Sequence, residues 1–503
     1  MDGSDVSLVI PIRHHDSEAM IHNLSNFYSS IQNVELVFVI YSLTTARQVE
    51  KQVVLVIENW ESIYEAHTLG MRQSSREVIL FLDMNQCISA ETIEKFLKPV
   101  LEDKADAVLN DMDYEYRKKR YPKSALIFPL ITNYFINQAD MKINNVMFLP
   151  YALTREAIER LRIISLENPV LTHLMLLQSN SRISHHLPVR DLYKLKSIGW
   201  SHSESQIVNY YLRAYAHFLN NNRDRNGFPD GGRRIDLLTG ILTGEETSVP
   251  TIKSNQYTDA NLRLSIIIPA RNEEKCIRRI IMECKKLKPM EIIIVVNGSS
   301  DRTASIAEEL DATIIAYNDK LGLDVGRAIG AYFSSGEILL FIDSDFVIPA
   351  HDLKPFVEAI EQGVDVALNN QNNFLEEIIP VHPVLACKYA LNIACQREDL
   401  GMSSTVAIPH AYSRRCLEII GYESLANPAL SYAKALVNGF AVEHAHQVNV
   451  NKINRFRPAT HYRMQKDRLA PTTSVIVGDH IEALHYLSKV RYLSTKGDVW
   501  DER

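Results

Sequence analysis

Two aspartates in the second half of the chain, Asp343 and Asp345, directly follow a short run of apolar residues. The run, residues 338–342, is typical of a buried strand because it is continuous, short and ends in polar residues. Side chains two residues apart on an extended chain point to the same side, so both carboxylates can face one site. Carboxylate oxygens are suitable ligands for Mg²⁺ or Mn²⁺, and such a cation also binds the oxygens of a diphosphate. A polar strand end without a metal is the simpler alternative.

Three polar loops in the same half carry further residues that could bind a nucleotide. They are residues 269–274, 297–303 and 320–331. Because ligands of open α/β sheets bind at the carboxyl ends of the strands, we expect these loops to converge on the two aspartates. Gly298 permits close backbone approach, and Arg327 is placed to reach a diphosphate. Each loop alone also fits an ordinary strand-to-helix turn, with Asp301 as a helix cap.

The elements that carry these loops alternate between strand and helix. This alternation predicts an α/β fold with a parallel, doubly wound sheet. The first half of the chain alternates in the same way. Its predicted strands are residues 6–12, 35–41, 53–57 and 78–82, with a helix ending near residue 32 and another over residues 63–74.

The two halves of the chain repeat the same motifs. The matches pair residues 7–13, 77–83, 149–155 and 168–169 with residues 265–271, 337–343, 408–414 and 427–428. The spacing stays between 258 and 260 residues, which predicts duplication of a whole domain rather than a short repeat. The first copy lacks the glycine-containing loop after its second strand and has Asn85 in the place of Asp345. We therefore expect it to keep the fold without catalytic activity.

The repeat and the polar segments between its copies predict the domain boundaries. Residues 1–228 form the degenerate first copy, residues 229–262 a linker, and residues 263–503 the catalytic copy with the acceptor region in its last third.

The motifs of the second copy are similar to those of family 2 glycosyltransferases with the GT-A fold, a Rossmann-like nucleotide-diphospho-sugar transferase domain. The family pattern is Pro-x-x-Asn-Glu, then Asp-Gly-Ser-x-Asp-x-Thr, a glycine-rich helix and Asp-x-Asp. It corresponds here to Pro269/Asn272/Glu273, Asn297–Thr303, Gly322–Ala331 and Asp343–Asp345. The resemblance is tight over residues 263–346 and loose over the rest of the second copy, and the fold it implies is two tandem GT-A domains.

The resemblance also implies a donor, a metal and the residues that hold them. The donor would be a nucleotide-sugar, usually linked to uridine diphosphate, with Mg²⁺ or Mn²⁺ at Asp343 and Asp345. The residues expected at the donor are Pro269, Ala270, Arg271, Asn272, Glu273, Asn297, Gly298, Ser299, Asp301, Gly322, Asp324, Arg327 and Ser344. His461 is a candidate third metal ligand, because some related families supply a histidine near this place.

Two departures from the family pattern bear on the chemistry. Asn297 stands where the family more often has an acid, which leaves the identity of the base open. Asn427 replaces the acid that deprotonates the acceptor in an inverting reaction, and asparagine cannot accept a proton. Either Glu423 or His410 takes that role, or the reaction proceeds with retention and the leaving diphosphate helps to take the proton. The family resemblance favours inversion, and a packed histidine is the alternative for His410.

Composition limits the partners of the protein. The 503 residues carry a net charge of −7, which disfavours a nucleic-acid partner held by phosphate contacts. The sequence contains no signal peptide and no apolar run of membrane-spanning length, so we expect a cytoplasmic protein without a transmembrane segment. Six cysteines without a Cys-x-x-Cys pair predict buried, reduced thiols.

The predicted function is therefore metal-dependent sugar transfer of the hexosyltransferase type, to a saccharide, a small molecule or a lipid-linked acceptor. A sugar nucleotidyltransferase is one alternative, but it would be expected to have a glycine-rich loop after its first strand, and residues 269–274 contain no glycine. A non-catalytic nucleotide-binding or scaffold protein is the other alternative, and it would fit if no donor is turned over.

Overall fold

The computed structural model describes most of the chain as two compact units, Met1–Asn222 and Arg223–Arg503. The described residues are 6–12, 17–28, 31, 34–41, 53–83, 88–113, 117, 123–161, 166–189, 204–220, 225–245, 251–253, 263–372, 382–450 and 469–492. Among them, no helix is both long and apolar enough to span a membrane.

The first unit is built on a seven-stranded sheet with the order β3-β2-β1-β4-β6-β5-β7. Its strands are β1 (Val6–Ile12), β2 (Val34–Ile40), β3 (Val53–Ile57), β4 (Val78–Phe81), β5 (Ala107–Leu109), β6 (Tyr151–Thr154) and β7 (Ile183–Ser184). Its helices are α1 (Ser17–Tyr28), α2 (Ile63–Gln73), α3 (Ala90–Leu101), α4 (Lys123–Phe135), α5 (Arg155–Arg160), α6 (Pro169–Gln178) and α7 (Glu204–Asn220).

The second unit is built on an eight-stranded sheet with the order β15-β13-β14-β12-β9-β10-β11-β8. Its strands are β8 (Thr251–Lys253), β9 (Leu264–Ala270), β10 (Glu291–Asn297), β11 (Thr313–Tyr317), β12 (Ile338–Phe341), β13 (Val366–Asn369), β14 (His410–Ser413) and β15 (Val442–His446). Its helices are α8 (Ile235–Thr243), α9 (Ile277–Lys285), α10 (Thr303–Glu309), α11 (Val325–Phe333), α12 (Ala350–Glu361), α13 (Pro383–Ala394), α14 (Arg414–Ile420), α15 (Pro428–Val437) and α16 (Pro471–Tyr492).

Strand burial in the second unit explains its continuous apolar runs. β10 is buried at six of its seven positions and all four residues of β12 are buried, as expected for strands covered on both faces. β12, β9, β10 and β11 run parallel, so their carboxyl ends meet at one edge of the sheet. The α/β prediction is confirmed.

The sheet is mixed rather than wholly parallel, which corrects the predicted parallel arrangement of all its strands. β14 runs antiparallel to both β12 and β13, and β8 runs antiparallel to β11. Residues 395–409 bring the chain back to the edge at which β13 ends, so β14 must run in the opposite direction. β12 and β13 consequently end at the same edge.

The two units have the same strand order, and each contains an arginine that makes matching, partly buried hydrogen bonds. Without β8, the second sheet has the order of the first, with β9 in the place of β1 and β12 in the place of β4. The Arg155 guanidinium donates to the backbone carbonyls of Ser74 and Arg76, and the Arg414 guanidinium donates likewise to those of Ser334 and Gly336. In each unit the arginine ties the start of a helix to the loop that precedes the central strand.

Candidate active site

The two aspartates lie where the sequence places them, directly after β12. Asp343 and Asp345 are half-buried, whereas Ser344 between them is only 6% exposed. This alternation is what two carboxylates facing the same side of an extended chain require. The backbone carbonyl of Asp345 accepts a hydrogen bond from the Cys276 thiol at 3.7 Å, which ties the loop after β9 to the strand end.

The loop after β9 is joined to the loop after β10 by hydrogen bonds from backbone to side chain. Asn272 has a φ of +56°, and its side-chain Oδ1 accepts from the backbone N–H of Ser300 at 2.9 Å. Its own N–H donates to Ser299 Oγ at 3.1 Å. Asn272 and Ser299 therefore shape the site by holding two loops together, while Arg271 beside them is exposed to solvent.

Asp301 makes the second connection between these loops. Its carboxylate accepts from the N–H of Glu274 at 3.1 Å and from the N–H of Thr303 at 3.0 Å, and Thr303 Oγ1 in turn accepts from the N–H of Glu273. Burial acts to raise the pKa of Asp301, but the hydrogen bonds from Thr303 and Glu274 outweigh it and lower the pKa. These contacts favour the helix-cap alternative for Asp301.

Asn297 holds the third loop with both ends of its amide. Its Nδ2 donates to the carbonyl of Gly322 at 3.0 Å, and its Oδ1 accepts from the N–H of Leu321 at 2.6 Å. Gly298 follows with a φ of +59°, and a Cβ there would approach the Asp319 carbonyl carbon to 3.0 Å. Asn297 and Gly298 thus bring residues 319–322 against the end of β10.

Gly322 is needed for chain packing rather than for approach to a ligand. A Cβ at Gly322 would lie 2.2 Å from the carbonyl oxygen of Gly232, and its φ is +83°. The N–H of Arg234 donates to the carbonyl of Leu321 at 2.9 Å, so residues 231–234 run alongside this loop. Packing against Gly232 is thus a structural reason for a glycine at position 322, and the contact of Gly322 with the donor stays a prediction.

Arg327 connects the first turn of α11 to the aspartates. Its Nη2 donates to Asp343 Oδ1 at 2.6 Å, and its Nη1 pairs with Asp324. The guanidinium is 12% exposed, which strengthens its charge interactions relative to those at a free surface. The positive charge of Arg327 thus lies beside the strand end at which a diphosphate is expected.

The ion pairs continue from Asp324 away from the strand end. Arg233 Nη2 lies 3.2 Å from Asp324 Oδ2, and Arg233 also binds both carboxylate oxygens of Asp479 on α16. Asp479 further accepts from Arg225 at 2.7 Å, and Arg225 lies 3.0 Å from Glu482. The charges alternate in sign along this network, which contains Glu482, Arg225, Asp479, Arg233, Asp324, Arg327 and Asp343.

Three charged residues of this network were not predicted from the sequence, namely Arg225, Arg233 and Asp479. Residues 229–262 were predicted to be a linker, whereas residues 225–245 are hydrogen-bonded into the second unit. The local signal was weak, because an arginine-rich polar segment is ordinarily solvated. Arg233 and Asp479, each only 3% exposed at the side chain, stand 246 residues apart in the chain.

His410 lies in the core and not at an accessible surface. It is 1% exposed, its Nδ1 donates to the carbonyl of Ala407, and its ring stacks on Phe341 with centroids 5.2 Å apart. Burial first and the charge of Arg327 second lower the pKa of His410 to about 3. These contacts favour the packed-histidine alternative over a general base.

Glu423 lies towards the opposite end of the central strand. It belongs to a 3₁₀ helix, Tyr422–Ala426, in which the Tyr422 hydroxyl accepts a hydrogen bond from Arg414. Arg414 also binds the backbone of residues 334–336, before β12 begins. The Glu423 carboxylate lies 3.7 Å from Lys434 Nζ and is half exposed. The structure does not bring Glu423 to the aspartates, which corrects its expected place in the site.

The histidines near the end of the chain do not gather around one ligand in the described residues. His444 Nε2 lies 2.9 Å from Ser403 Oγ, whereas His446 Nε2 lies 3.1 Å from Asp352 Oδ1. A register shift where β15 pairs with Leu368 and Asn369 separates the two rings. His461 lies outside the described residues. Within the described part of the chain, no group of three or more His, Cys, Asp or Glu side chains is arranged to hold a metal.

The remaining expected donor residues lie at the carboxyl end of β9. Pro269 is half-buried, Ala270 is 2% exposed, and Glu273 is half-buried at the start of the following turn. The arrangement as a whole offers two carboxylates beside one arginine, enclosed by three loops with exposed polar backbone and side chains. Such a site can bind a cation together with an anionic, nucleotide-like ligand.

Comparison with protein families finds one match on this unit. Residues 265–387 match the model described as glycosyl transferase family 2, and this segment contains both aspartates and the three loops.

Curated relatives are similar over part of the chain. A 4,4'-diaponeurosporenoate glycosyltransferase from Staphylococcus haemolyticus is 26% identical over 157 residues, which cover 30% of this chain and 40% of the relative. An undecaprenyl-phosphate 4-deoxy-4-formamido-L-arabinose transferase from Pseudomonas fluorescens is 28% identical over 201 residues, covering 36% of this chain and 57% of the relative. The chain thus spans less than two thirds of the length of either relative.

Solved structures give a weaker likeness. Glucosyl-3-phosphoglycerate synthase from Mycobacterium tuberculosis, crystallised with Mn²⁺, uridine diphosphate and glucosyl-3-phosphoglycerate, is 20% identical with a TM-score of 0.30. The alignment covers 39% of this chain and 74% of that chain. The family match and the curated relatives together support a glycosyltransferase, and the segment similar to family 2 lies in the second unit.

Proposed function

We propose that the second unit transfers a sugar from a nucleotide-sugar, most simply a UDP-sugar, to an acceptor hydroxyl. The observation that carries the proposal is the convergence of three polar loops on Asp343, Asp345 and Arg327 at the carboxyl edge of the sheet. Hydrogen bonds from Asn272 to Ser299 and from Glu274 to Asp301 join two of these loops at this edge. The family match over the same residues supports this function.

The residues present fit a divalent cation. Asp343 and Asp345 supply hard oxygen donors two residues apart, which suits Mg²⁺ or Mn²⁺. When bound, the cation would stabilise the negative charge that develops on the departing diphosphate. Arg327 would hold the same diphosphate by charge-assisted hydrogen bonds, while Asp324 and Arg233 keep its guanidinium directed to the strand end.

The positions of the two candidate bases bear on the stereochemistry of the proposed reaction. An inverting reaction needs an accessible base on the acceptor side. His410 is buried against Phe341, and Glu423 lies near the opposite end of β12. We therefore favour retention of configuration, in which the leaving diphosphate takes the proton of the acceptor hydroxyl, over the inversion that the family resemblance favours.

The first unit is proposed to be a degenerate copy of the second, with both derived from a GT-A domain. The shared strand order and the matching contacts of Arg155 and Arg414 support a common origin. Asn297 and Asp345 are replaced in the first copy by Tyr41 and Asn85, so we expect no donor site there. The catalytic unit is proposed to include residues 225–245 in addition to residues 263–503.

Thermal unfolding with nucleotides tests the proposal. UDP and UDP-sugars should raise the melting temperature more in the presence of Mn²⁺ than in its absence, because a ligand that binds the native state stabilises it. Asp343→Asn together with Asp345→Asn should remove the Mn²⁺-dependent part. Asp83→Asn, at the corresponding strand end of the first unit, is the matched control and should leave it intact. An undiminished Mn²⁺-dependent rise in the double variant would contradict the assignment.

A further inference from the structure

Lys388 is a buried ammonium group in the middle of α13. Lys388 is 5% exposed, and its Nζ donates to Gln371 Oε1 at 2.8 Å. No carboxylate forms an ion pair with Lys388 among the described residues. A buried charge without an opposite charge is unfavourable for folding, so its retention calls for a reason other than stability.

Burial of Lys388 has a measurable electrostatic consequence. Desolvation lowers the pKa of its ammonium group to about 8. The group is thus still largely protonated at neutral pH and available to bind an anion. Its neighbour Gln371 is 8% exposed and presents its amide in the same buried environment.

His480 on α16 adds an unsatisfied polar atom to this region. Its Nδ1 donates to the carbonyl of Ile476 at 2.7 Å, which leaves Nε2 as the acceptor of a neutral ring. Within the described part of the chain, Nε2 is buried and has no hydrogen-bond partner. Burial lowers the pKa of His480 to about 4, and the charge of Lys388 contributes to the lowering, so the two groups lie within electrostatic reach.

The position of Gln371 relates this region to the candidate active site. β12 and β13 both run antiparallel to β14, so their carboxyl ends lie at one edge. Gln371 follows β13 by two residues, as Asp343 follows β12. Two strand spacings separate them, which corresponds to about 10 Å.

The first unit shows what the fold itself requires at these positions. The N–H of Gln371 donates to Ser403 Oγ, and the N–H of Met112 donates likewise to Asn144 Oδ1, so Gln371 and Met112 correspond. Lys388 and Pro129 correspond too, because each stands one helical turn before an asparagine that binds two carbonyls of the following loop. These asparagines are Asn392 and Asn133. The pair is thus apolar in the first unit, and the fold forms without a lysine there.

We propose that Lys388 and Gln371 form a subsite for an oxyanion of the acceptor, a phosphate or a carboxylate, at the carboxyl edge of the sheet. Lys388 supplies the charge and Gln371 a neutral hydrogen bond that orients its ammonium group. That the bound oxyanion belongs to the acceptor rests on the proposed sugar transfer. The anion site itself does not depend on that function. It narrows the acceptor class to small anionic molecules or anionic lipid-linked groups.

Calorimetry with inorganic phosphate and with acetate, in the absence of metal and nucleotide, tests the subsite. Wild-type protein should bind at least one of the two probes, and Lys388→Met should weaken that binding by about tenfold or more. The probe that binds distinguishes phosphate from carboxylate. Absence of binding by both probes, or equal binding by the Lys388→Met variant, would overturn the proposal.

Two further measurements separate this proposal from the proposed function and from a folding role. Lys388→Met should retain the Mn²⁺-dependent stabilisation by UDP, so a lost donor site and a lost anion site are distinguished. Its melting temperature without ligand should equal or exceed that of the wild type, because an uncompensated buried charge is removed. Glu376 and Glu377 lie in a segment outside the described residues, and Glu376→Gln with Glu377→Gln should leave phosphate and acetate binding unchanged. Suppose that Lys388→Met and the double variant each lower stability, and that the triple variant loses less than the sum of the two losses. Lys388 would then form an ion pair with one of these glutamates, which would refute the subsite.

Discussion

Arg233 binds both carboxylate oxygens of Asp479, with Nη1–Oδ1 and Nη2–Oδ2 distances of 2.7 and 2.9 Å. Both side chains are 3% exposed, and Arg233 also pairs with Asp324, the neighbour of Arg327 in the ion-pair network. The C-terminal helix is thus connected to the first turn of α11, and through it to Asp343. A segment that resembles a linker in the sequence thus supports the ion pairs that lead to Asp343.

Asp479→Asn should lower the free energy of unfolding by about 3 kcal/mol, because it removes the carboxylate that binds the buried Arg233 through both oxygens. Arg233 then keeps its ion pair with Asp324 at 3.2 Å. Urea denaturation measures the change. Glu482→Gln is the matched control, since Glu482 is 30% exposed and its loss should cost about 1 kcal/mol or less. Equal effects of the two substitutions would contradict a structural role for the Arg233–Asp479 pair.

Asn297→Asp should disturb the loop at residues 321–322. The substitution keeps an acceptor for the N–H of Leu321 but sets a carboxylate oxygen against the carbonyl of Gly322, which now lacks its donor. We expect a loss of about 1–2 kcal/mol in the free energy of unfolding together with weaker UDP binding. Asn438→Asp, at an exposed amide that donates to the Lys434 carbonyl, should change neither quantity appreciably.

Nucleotide preference distinguishes this role of Asn297 from contact with the base. If Asn297 orients the loop, Asn297→Asp should weaken UDP and GDP binding by a similar factor in calorimetric titrations. A selective change for one nucleotide would instead place the Asn297 amide at the base and contradict the structural role.

Asp343 and Asn297 illustrate what the sequence could predict and what it could not. The apolar runs before both residues predict strands, and adjacent parallel strands bring their ends together, so the location of the site follows from local pattern. The partners of Asn297 and Arg233 depend on contacts 24 and 246 residues away in the chain, which no local periodicity encodes. The burial of His410 was likewise hidden, because a histidine at a strand start fits either a core or a catalytic place.

His410 should make the protein less stable in acid. Its pKa is lowered to about 3 in the folded state, by burial first and by the charge of Arg327 second. The unfolded chain, with a histidine pKa near 6.5, therefore binds more protons below that pH, and stability falls as the pH falls from about 6.5. Between pH 7 and pH 5, His410 alone should account for about 2 kcal/mol.

His410→Asn tests this acid effect and the role of the ring together. The asparagine amide can still donate to the Ala407 carbonyl but does not titrate. Urea midpoints at pH 7 and pH 5 should differ less in the variant than in the wild type, although His480 continues to contribute. Turnover of the donor should persist in His410→Asn, and its abolition with intact folding would return His410 to the role of a base.

The last prediction concerns the anomeric configuration of the product. Because neither Glu423 nor His410 is placed as an accessible base at the aspartates, an α-linked UDP-sugar should give an α-configured product. Proton NMR of the freshly formed sugar, with water as the acceptor if no other is known, measures the configuration before the anomers equilibrate. Glu423→Gln should leave the turnover rate within about twofold, since an exposed ion pair with Lys434 contributes little. A β-configured product that disappears with Glu423→Gln would show that this carboxylate reaches the acceptor after all, and would make the reaction an inverting one.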